Sequence, residues 1–188
     1  MPFRVTMASG VTRPLLEAYG IPLVRGGAAH SAPAAASLAA AIGFPVAMKI
    51  ISPQILHKSD AGGIVLNLKS EAEVAAAYEQ LFSSIHAKMP QAELQGVLIE
   101  QMAPRGQEVI VGLKRDPGFG PVLMFGLGGI YVELFKDVSF RVAPVSAEEA
   151  REMILETRAG KLLTGLRGAR PADLAAVESS LQTVEQEY

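Results

Sequence analysis

The chain has 188 residues, of which 49% are hydrophobic, and its formal net charge is −2. This length suffices for one large domain or two small lobes with a buried core, and the near-neutral charge argues against a nucleic-acid-binding protein, whose surface would be basic. The chain contains no cysteine, which excludes disulfides, thiolate metal sites and a cysteine nucleophile. With no apolar run of about 18 residues and no signal peptide at Met1, the sequence predicts a soluble cytoplasmic protein.

Hydrophobic periodicity, capping residues and glycine or proline breaks predict helices and strands along most of the chain. Ser70 with Glu73, and Ser146 with Glu149, have the spacing of a helix capping box. In chain order the predicted elements are a helix at 12–19, a helix at 32–42, a strand at 45–51, a strand at 64–68, a helix at 70–86, strands at 97–101, 108–114 and 121–125, a short strand ending at 134, a strand at 138–142, a helix at 146–157 and a helix beginning near 171. The pattern indicates an α+β protein with two small sheets, each covered by helices.

A glycine-containing hairpin between two apolar strands is the most informative segment. It carries His57, Lys58 and Ser59, followed by Gly62 and Gly63. Glycines allow backbone N–H groups to approach phosphate oxygens closely, because they impose no side-chain barrier. With Lys49 in the preceding strand and Lys58 in the loop adding positive charge, the segment predicts a phosphate-binding loop. His57 is a candidate nucleophile or proton carrier, since a neutral imidazole can accept a phosphoryl group near pH 7.

Each of these residues also has a plainer interpretation. Lys49 could be a solvent-facing lysine on an edge strand, although its same-face neighbours are small or apolar and favour a lysine that lines a cleft. His57 could be a solvated turn residue. Asp60 could orient the imidazole or simply occupy a turn position that suits aspartate.

Four segments carry a family resemblance: residues 19–22 (YGIP), 43–66, 96–144 and 162–168 (LLTGLRG). They resemble the ATP-grasp part, the beta subunit or beta domain, of the ADP-forming (NDP-forming) acyl-CoA synthetases, which include acetate–CoA ligases. The resemblance implies an ATP-grasp fold, in which a nucleotide lies between two α+β lobes. It divides the chain into an N-terminal arm and helix at 1–24 that packs with the second lobe, a small lobe at 25–101 and a second lobe at 102–188.

The same resemblance implies a reaction and roles for individual residues. The family interconverts acyl-CoA, ADP and phosphate with the free acid, CoA and ATP through a phosphohistidine. Lys49 is then expected at the ATP phosphates, and His57 in phosphoryl relay. The remaining expectations are that the backbone of Glu100 and Met102 meets the adenine, Glu108 lines the ribose pocket, Gly126, Gly128 and Gly129 face the docking phosphohistidine, and Glu133 is catalytic.

Several of these positions have ordinary alternatives. Residues 100–102 could be a simple strand end, and Glu133 and Asp137 could flank a surface strand. Arg141 could enter the cleft or form a local ion pair. Arg158 and Arg167 lie where a solvated arginine is the usual finding.

The chain departs from the family pattern at its end. Family members continue to a Glu-x-Asn-Pro strand and a later aspartate that hold Mg²⁺, whereas this sequence stops at Tyr188. The resemblance therefore predicts a C-terminally incomplete ATP-grasp, with no metal ligands in this chain, little activity in isolation, and a sheet edge that would favour self-association. The expected cofactors are ATP or ADP and Mg²⁺. The expected partner is a CoA-binding alpha subunit or domain that carries the primary histidine, with the acyl acid and CoA as substrates.

A second functional class stays open at this point. The chain could be a regulatory ATP-grasp-like module of a larger protein acyltransferase, retained without turnover. His57 favours the enzyme, because a regulatory module does not need a phosphoryl acceptor.

Overall fold

The computed structural model describes residues 13–18, 20–55, 57–104, 106–129, 137–165 and 170–185. The chain divides into two compact units, which we call the first unit (residues 4–104) and the second unit (residues 1–3 and 105–188). The division after Pro104 lies close to the boundary predicted after Gln101. In the part of the chain described, no helix is long and apolar enough to span a membrane.

The first unit is a four-stranded antiparallel sheet with strand order β1-β4-β2-β3. Its elements are α1 (Arg13–Ala18), β1 (Gly26–Ala29), α2 (Ala32–Ile42), β2 (Val46–Ile51), β3 (Ile64–Leu68), α3 (Glu71–Lys88) and β4 (Gly96–Gln101). Val46, Met48 and Ile50 on β2 pack with α2 and α3 in the core, as the alternation of the strand predicts. Lys49 therefore points to the opposite face of the sheet.

The second unit is a three-stranded antiparallel sheet with strand order β5-β6-β7, packed against helices. Its elements are β5 (Val109–Asp116), β6 (Gly120–Leu127), β7 (Val138–Val142), α4 (Ala147–Leu155), α5 (Arg158–Leu163) and α6 (Leu174–Glu185). Leu123 and Phe125 of β6 form the core with Met153 and Ile154 of α4 and Leu181 of α6. The predicted strand ending at Leu134 lies outside the described residues.

Only one of the two predicted capping boxes forms completely in the structure. At α4 both bonds form: Glu149 N–H donates to Ser146 Oγ over 3.2 Å, and Ser146 N–H donates to Glu149 Oε2 over 2.8 Å. At α3 the Ser70 hydroxyl accepts from Glu73 N–H at 3.2 Å, but the Glu73 carboxylate accepts from the N–H of Lys69 instead of Ser70. Both helices still begin where the serines predict, because the serine bond alone satisfies one of the open N–H donors.

The first helix has contacts within the first unit. Arg13 of α1 donates to the carbonyl oxygen of Val24 and contacts Glu100, and all three residues belong to the first unit. The packing of residues 1–24 with the second lobe stays a prediction.

Candidate functional site

Lys49 and Glu100 form a buried ion pair on the face of the first sheet opposite α2 and α3. Lys49 pairs with Leu98, and Ala47 pairs with Glu100, across the antiparallel β2–β4 ladder. This register places Lys49 diagonally across from Glu100 on the same face. Lys49 Nζ donates to Glu100 Oε2 over 2.6 Å, and the two residues are only 8% and 1% exposed. Lys49 is thus buried at this face and is not a solvent-facing lysine, and its place in a nucleotide cleft stays a prediction.

Arg13 completes this group, and we call Arg13, Lys49 and Glu100 the buried ion cluster. Arg13 Nη1 lies 3.6 Å from Glu100 Oε1, and its Nε lies 3.1 Å from Glu17 Oε1. Gly26 makes room for the contact, because a Cβ atom there would lie 2.9 Å from Glu100 Cγ and 3.2 Å from Arg13 Nη1. Sequence reasoning missed Arg13 and Gly26, since their role depends on contacts between distant segments.

The loop at residues 57–63, which we call the His57 loop, is closed by its own backbone. Ala61 N–H donates to the carbonyl oxygen of His57, and Gly63 N–H donates to that of Lys58 over 2.6 Å. Gly62 has a φ of +73°, a conformation that glycine adopts without strain. A Cβ atom at Gly63 would lie 2.6 Å from Ile50 Cγ2 and 3.1 Å from the Lys58 oxygen. Both glycines are therefore required by the shape of the loop.

Lysine side chains lie in and around the His57 loop. Burial, and to a smaller extent the positive charge of Lys49, lowers the pKa of Lys58 below its ordinary value. Lys49 lies on β2 in register with Ile64, the residue that follows the loop. Lys88, at the end of α3, places its Nζ 3.3 Å from the position that a Cβ of Gly62 would occupy. His57, Ser59 and Asp60 are exposed, so that the imidazole is accessible to a reactant.

Because a side chain at Gly63 has no room, its substitution is expected to destabilise the chain. Gly63→Ala is expected to lower the free energy of unfolding by about 1–3 kcal/mol, because the methyl group overlaps Ile50 and the Lys58 backbone. Urea unfolding followed by circular dichroism measures this cost. Gly118→Ala is the control, since its Cβ would meet only Asp116 Oδ1 at 3.5 Å. Equal stability of the two variants would contradict the packing of the loop.

The backbone of residues 100–102 makes hydrogen bonds within the first unit. β4 has strands on both sides, with Glu100 in register with Gly26 and Ala47, so that the Glu100 backbone is enclosed in the sheet. Met102 N–H donates to the carbonyl oxygen of Pro45 over 3.1 Å. The adenine contact of the Glu100 and Met102 backbone stays a prediction, and in this structure the Met102 N–H is bonded within the chain. The Glu100 side chain contributes to the site through Lys49.

In the second unit, Glu108 and the glycine-rich segment lie together. Gly128 N–H donates to the carbonyl oxygen of Glu108 over 2.9 Å. A Cβ atom at Gly129, whose φ is +66°, would lie 2.5 Å from Glu108 Oε2, and one at Gly126 would overlap the backbone of Asp137. Only glycines fit this close approach of two chain segments. Glu133, the predicted catalytic residue of this region, lies outside the described residues.

Two other charged residues of the second unit have structural partners. Asp137 accepts from the N–H groups of Arg158 (3.0 Å) and Ala159 (3.2 Å) and so caps α5. Arg141 forms an ion pair with Glu156, with Nη2 2.5 Å from Oε1. Of its two predicted roles, entry into the cleft or a local ion pair, this contact is the local ion pair. Arg167 lies outside the described residues. Within the ranges described, no group of three or more histidine, aspartate or glutamate side chains could hold a metal ion.

Comparison with known proteins identifies relatives along nearly the whole chain. A family model described as an ATP-grasp domain matches residues 4–186. The beta subunit of ADP-forming acetate–CoA ligase I from Pyrococcus furiosus is 49% identical over 163 residues, which are 87% of this chain and 70% of the relative. The ADP-forming acetate–CoA ligase I of Archaeoglobus fulgidus is 46% identical over 183 residues, which are 97% of this chain and 26% of the relative. The chain therefore spans about a quarter of the length of the Archaeoglobus relative.

Two solved structures also match most of this chain. The dinucleotide-forming acetyl-coenzyme A synthetase 1 of Ca. Korarchaeum cryptofilum, in complex with coenzyme A, Ca-AMPCP and HgCl⁺, matches with a TM-score of 0.88 and 48% identity over 93% of this chain and 76% of that chain. A second structure of that synthetase contains coenzyme A and Mg-AMPPCP, with its phosphohistidine segment pointing towards the nucleotide binding site. It matches with a TM-score of 0.76 and 45% identity over 93% of this chain and 75% of that chain. The α+β ATP-grasp fold predicted from the sequence is confirmed.

Proposed function

Because this chain belongs to the ATP-grasp family, among the ADP-forming acetate–CoA ligases, we propose that it is the nucleotide-binding part of an ADP-forming acyl-CoA synthetase. The complete enzyme would convert acyl-CoA, ADP and phosphate into the free acid, CoA and ATP. One observation carries the proposal: in a chain 49% identical to a ligase beta subunit, Lys49 pairs with Ile64 directly after the loop that bears His57 and Lys58.

Lys49 and Lys58 are proposed to bind the nucleotide phosphates. Two ammonium groups held near each other repel, and a phosphate between them removes that repulsion. The lowered pKa of Lys58 fits this role, because an anion beside it would stabilise its charged form. Ser59, Gly62 and Gly63 would add a hydroxyl and a close-approaching backbone.

His57 is proposed to accept a phosphoryl group. A lone pair on a neutral imidazole nitrogen attacks the γ-phosphorus of ATP, the bond from that phosphorus to the bridging oxygen of ADP breaks, and ADP leaves with the electron pair. In the direction of ATP synthesis the same bonds form and break in reverse. Because His57 is exposed, its imidazole is accessible to a nucleotide. Glu108, Gly126, Gly128, Gly129 and Glu133 remain proposed contacts of the nucleotide or of a docking phosphohistidine.

The names of the relatives support a proposed partner and a proposed metal. We propose that a CoA-binding alpha subunit or domain supplies the primary histidine and binds CoA and the acyl acid. Mg²⁺ is proposed to enter with the nucleotide, as the Mg-AMPPCP complex of the Korarchaeum synthetase suggests. Bound Mg²⁺ would neutralise phosphate charge and orient the transferred group.

Calorimetric titration with ADP and Mg²⁺ tests the phosphate assignment. Lys49→Met and Lys58→Met are each expected to weaken ADP binding on the order of tenfold or more, because each removes a charged hydrogen-bond donor. Lys58→Met is also expected not to lower the stability of the free chain, since the charge it removes is unfavourable there.

Lys69→Met is the matched control for this titration, because Lys69 is an exposed lysine of the same unit. Its ADP affinity is expected to equal that of the unsubstituted chain. An ADP affinity unchanged by Lys49→Met and Lys58→Met, in protein shown to be folded, would refute the phosphate assignment.

A further inference from the structure

Glu100 is shared by two cations with unequal contacts. Lys49 donates to Glu100 Oε2 over 2.6 Å, whereas Arg13 Nη1 lies 3.6 Å from Glu100 Oε1. Among the described residues, Arg13 Nη1 and Glu100 Oε1 are both buried atoms without a hydrogen-bond partner. Such a bond needs about 2.7–3.2 Å, so these two atoms are held just beyond bonding distance of each other.

Arg13 has anchors of its own. Its Nη2 donates to the carbonyl oxygen of Val24, and its Nε pairs with Glu17. Gly26, with no Cβ, leaves the space in which the guanidinium meets Glu100. The guanidinium is therefore fixed beside Glu100 whether or not Lys49 remains bonded to it.

A lysine that binds phosphate must share its charge with the ligand. As the Lys49 amino group turns to the nucleotide, Glu100 loses its closest cation while it remains 1% exposed. An uncompensated carboxylate at such a position is strongly unfavourable. Arg13, whose Nη1 lies 3.6 Å from Glu100 Oε1, is the cation in position to offset that loss.

We propose that Arg13 is a positioning residue that takes over the charge of Glu100 when Lys49 binds the nucleotide phosphates. The Arg13–Glu100 contact then shortens to a hydrogen bond, and the carboxylate releases Lys49 without becoming unpaired. This inference rests on the proposed phosphate role of Lys49. It makes the N-terminal helix a determinant of nucleotide affinity without contact between Arg13 and the nucleotide.

Calorimetric ADP titration of the full 188-residue chain, with Mg²⁺, tests the proposal. Arg13→Met is expected to weaken binding by roughly tenfold to a hundredfold, because a charged hydrogen bond that forms with the ligand is lost. Arg13→Lys, which keeps the charge, is expected to recover most of that affinity. Arg151→Met is the control, since Arg151 also pairs with a glutamate, Glu178, but in the second unit.

A double-mutant cycle separates this role from a structural one. In a Glu100→Gln background there is no carboxylate charge to neutralise, so Arg13→Met is expected to change ADP affinity by less than about twofold. Circular dichroism first establishes that each variant is folded at the temperature of titration. If the Glu100→Gln proteins do not fold, the ADP affinities of Arg13→Lys and Arg13→Met decide between a positioning role and a structural role.

The outcomes are distinct. Equal losses from Arg13→Met in both backgrounds, or no recovery in Arg13→Lys, would overturn the positioning role. If Lys49→Met weakens ADP binding and Arg13→Met does not, the inference about Arg13 fails while the proposed function stands. If the unsubstituted chain binds no ADP, or Lys49→Met binds it equally well, both fail.

Discussion

Replacing Glu100 with alanine is expected to lower the free energy of unfolding by about 3–5 kcal/mol. The substitution removes the carboxylate that lies 2.6 Å from Lys49 Nζ and 3.6 Å from Arg13 Nη1. Two cations then face each other at a protected position with no counter-ion, and the vacated volume adds a cavity cost. Chemical denaturation followed by circular dichroism measures the difference from the unsubstituted chain.

Glu156→Ala is the control for this measurement. Glu156 also pairs with an arginine, Arg141, at 2.5 Å, but its side chain is 52% exposed. An exposed ion pair contributes less than about 1 kcal/mol, because water screens it and side-chain entropy opposes it. If Glu100→Ala and Glu156→Ala cost the same, the buried ion cluster does not have the protected geometry described.

The elements predicted well from the sequence are those whose local signals agree. Ser31 and Gly43 bound α2 at both ends, and the alternating residues of β2 and the glycines after it place β2 and β3. Here capping, periodicity and turn chemistry all favour the same structure. The face on which Lys49 lies follows from the alternation alone.

The features that the sequence does not predict depend on contacts between distant segments of the chain. β1 is Gly-Gly-Ala-Ala, a sequence with weak strand propensity, and it is a strand because it pairs with β4. The partner of Lys49 depends on the register between β2 and β4, which no local pattern specifies. Arg13 meets Glu100 only after α1 has packed on the first unit, so its role is visible in the structure and not in the sequence.

In the complete enzyme, with its CoA-binding partner present, His57→Gln is expected to reduce turnover by about a thousandfold or more, as loss of a covalent nucleophile does. Glutamine keeps a polar side chain of similar size, but it has no nitrogen lone pair that can form a stable bond to phosphorus. The loop itself should persist, since His57 contributes its carbonyl oxygen to the bond with Ala61 and its side chain is exposed. The loss would therefore be chemical, with little change in stability or in ADP affinity.

Labelling with ATP that carries a marked γ-phosphoryl group gives the direct measurement. A phosphohistidine is acid-labile and base-stable, unlike a phosphoserine, so the label on this chain should vanish in acid and be absent from His57→Gln. His86→Gln is the matched control, because His86 is also an exposed histidine of the first unit, and it should label and turn over normally. Peptide mapping separates label on residues 57–63 from label on the primary histidine of the partner. Full turnover in His57→Gln, or acid-labile label that persists on this chain without His57, would show that His57 is only a solvated turn residue and that another group relays the phosphoryl.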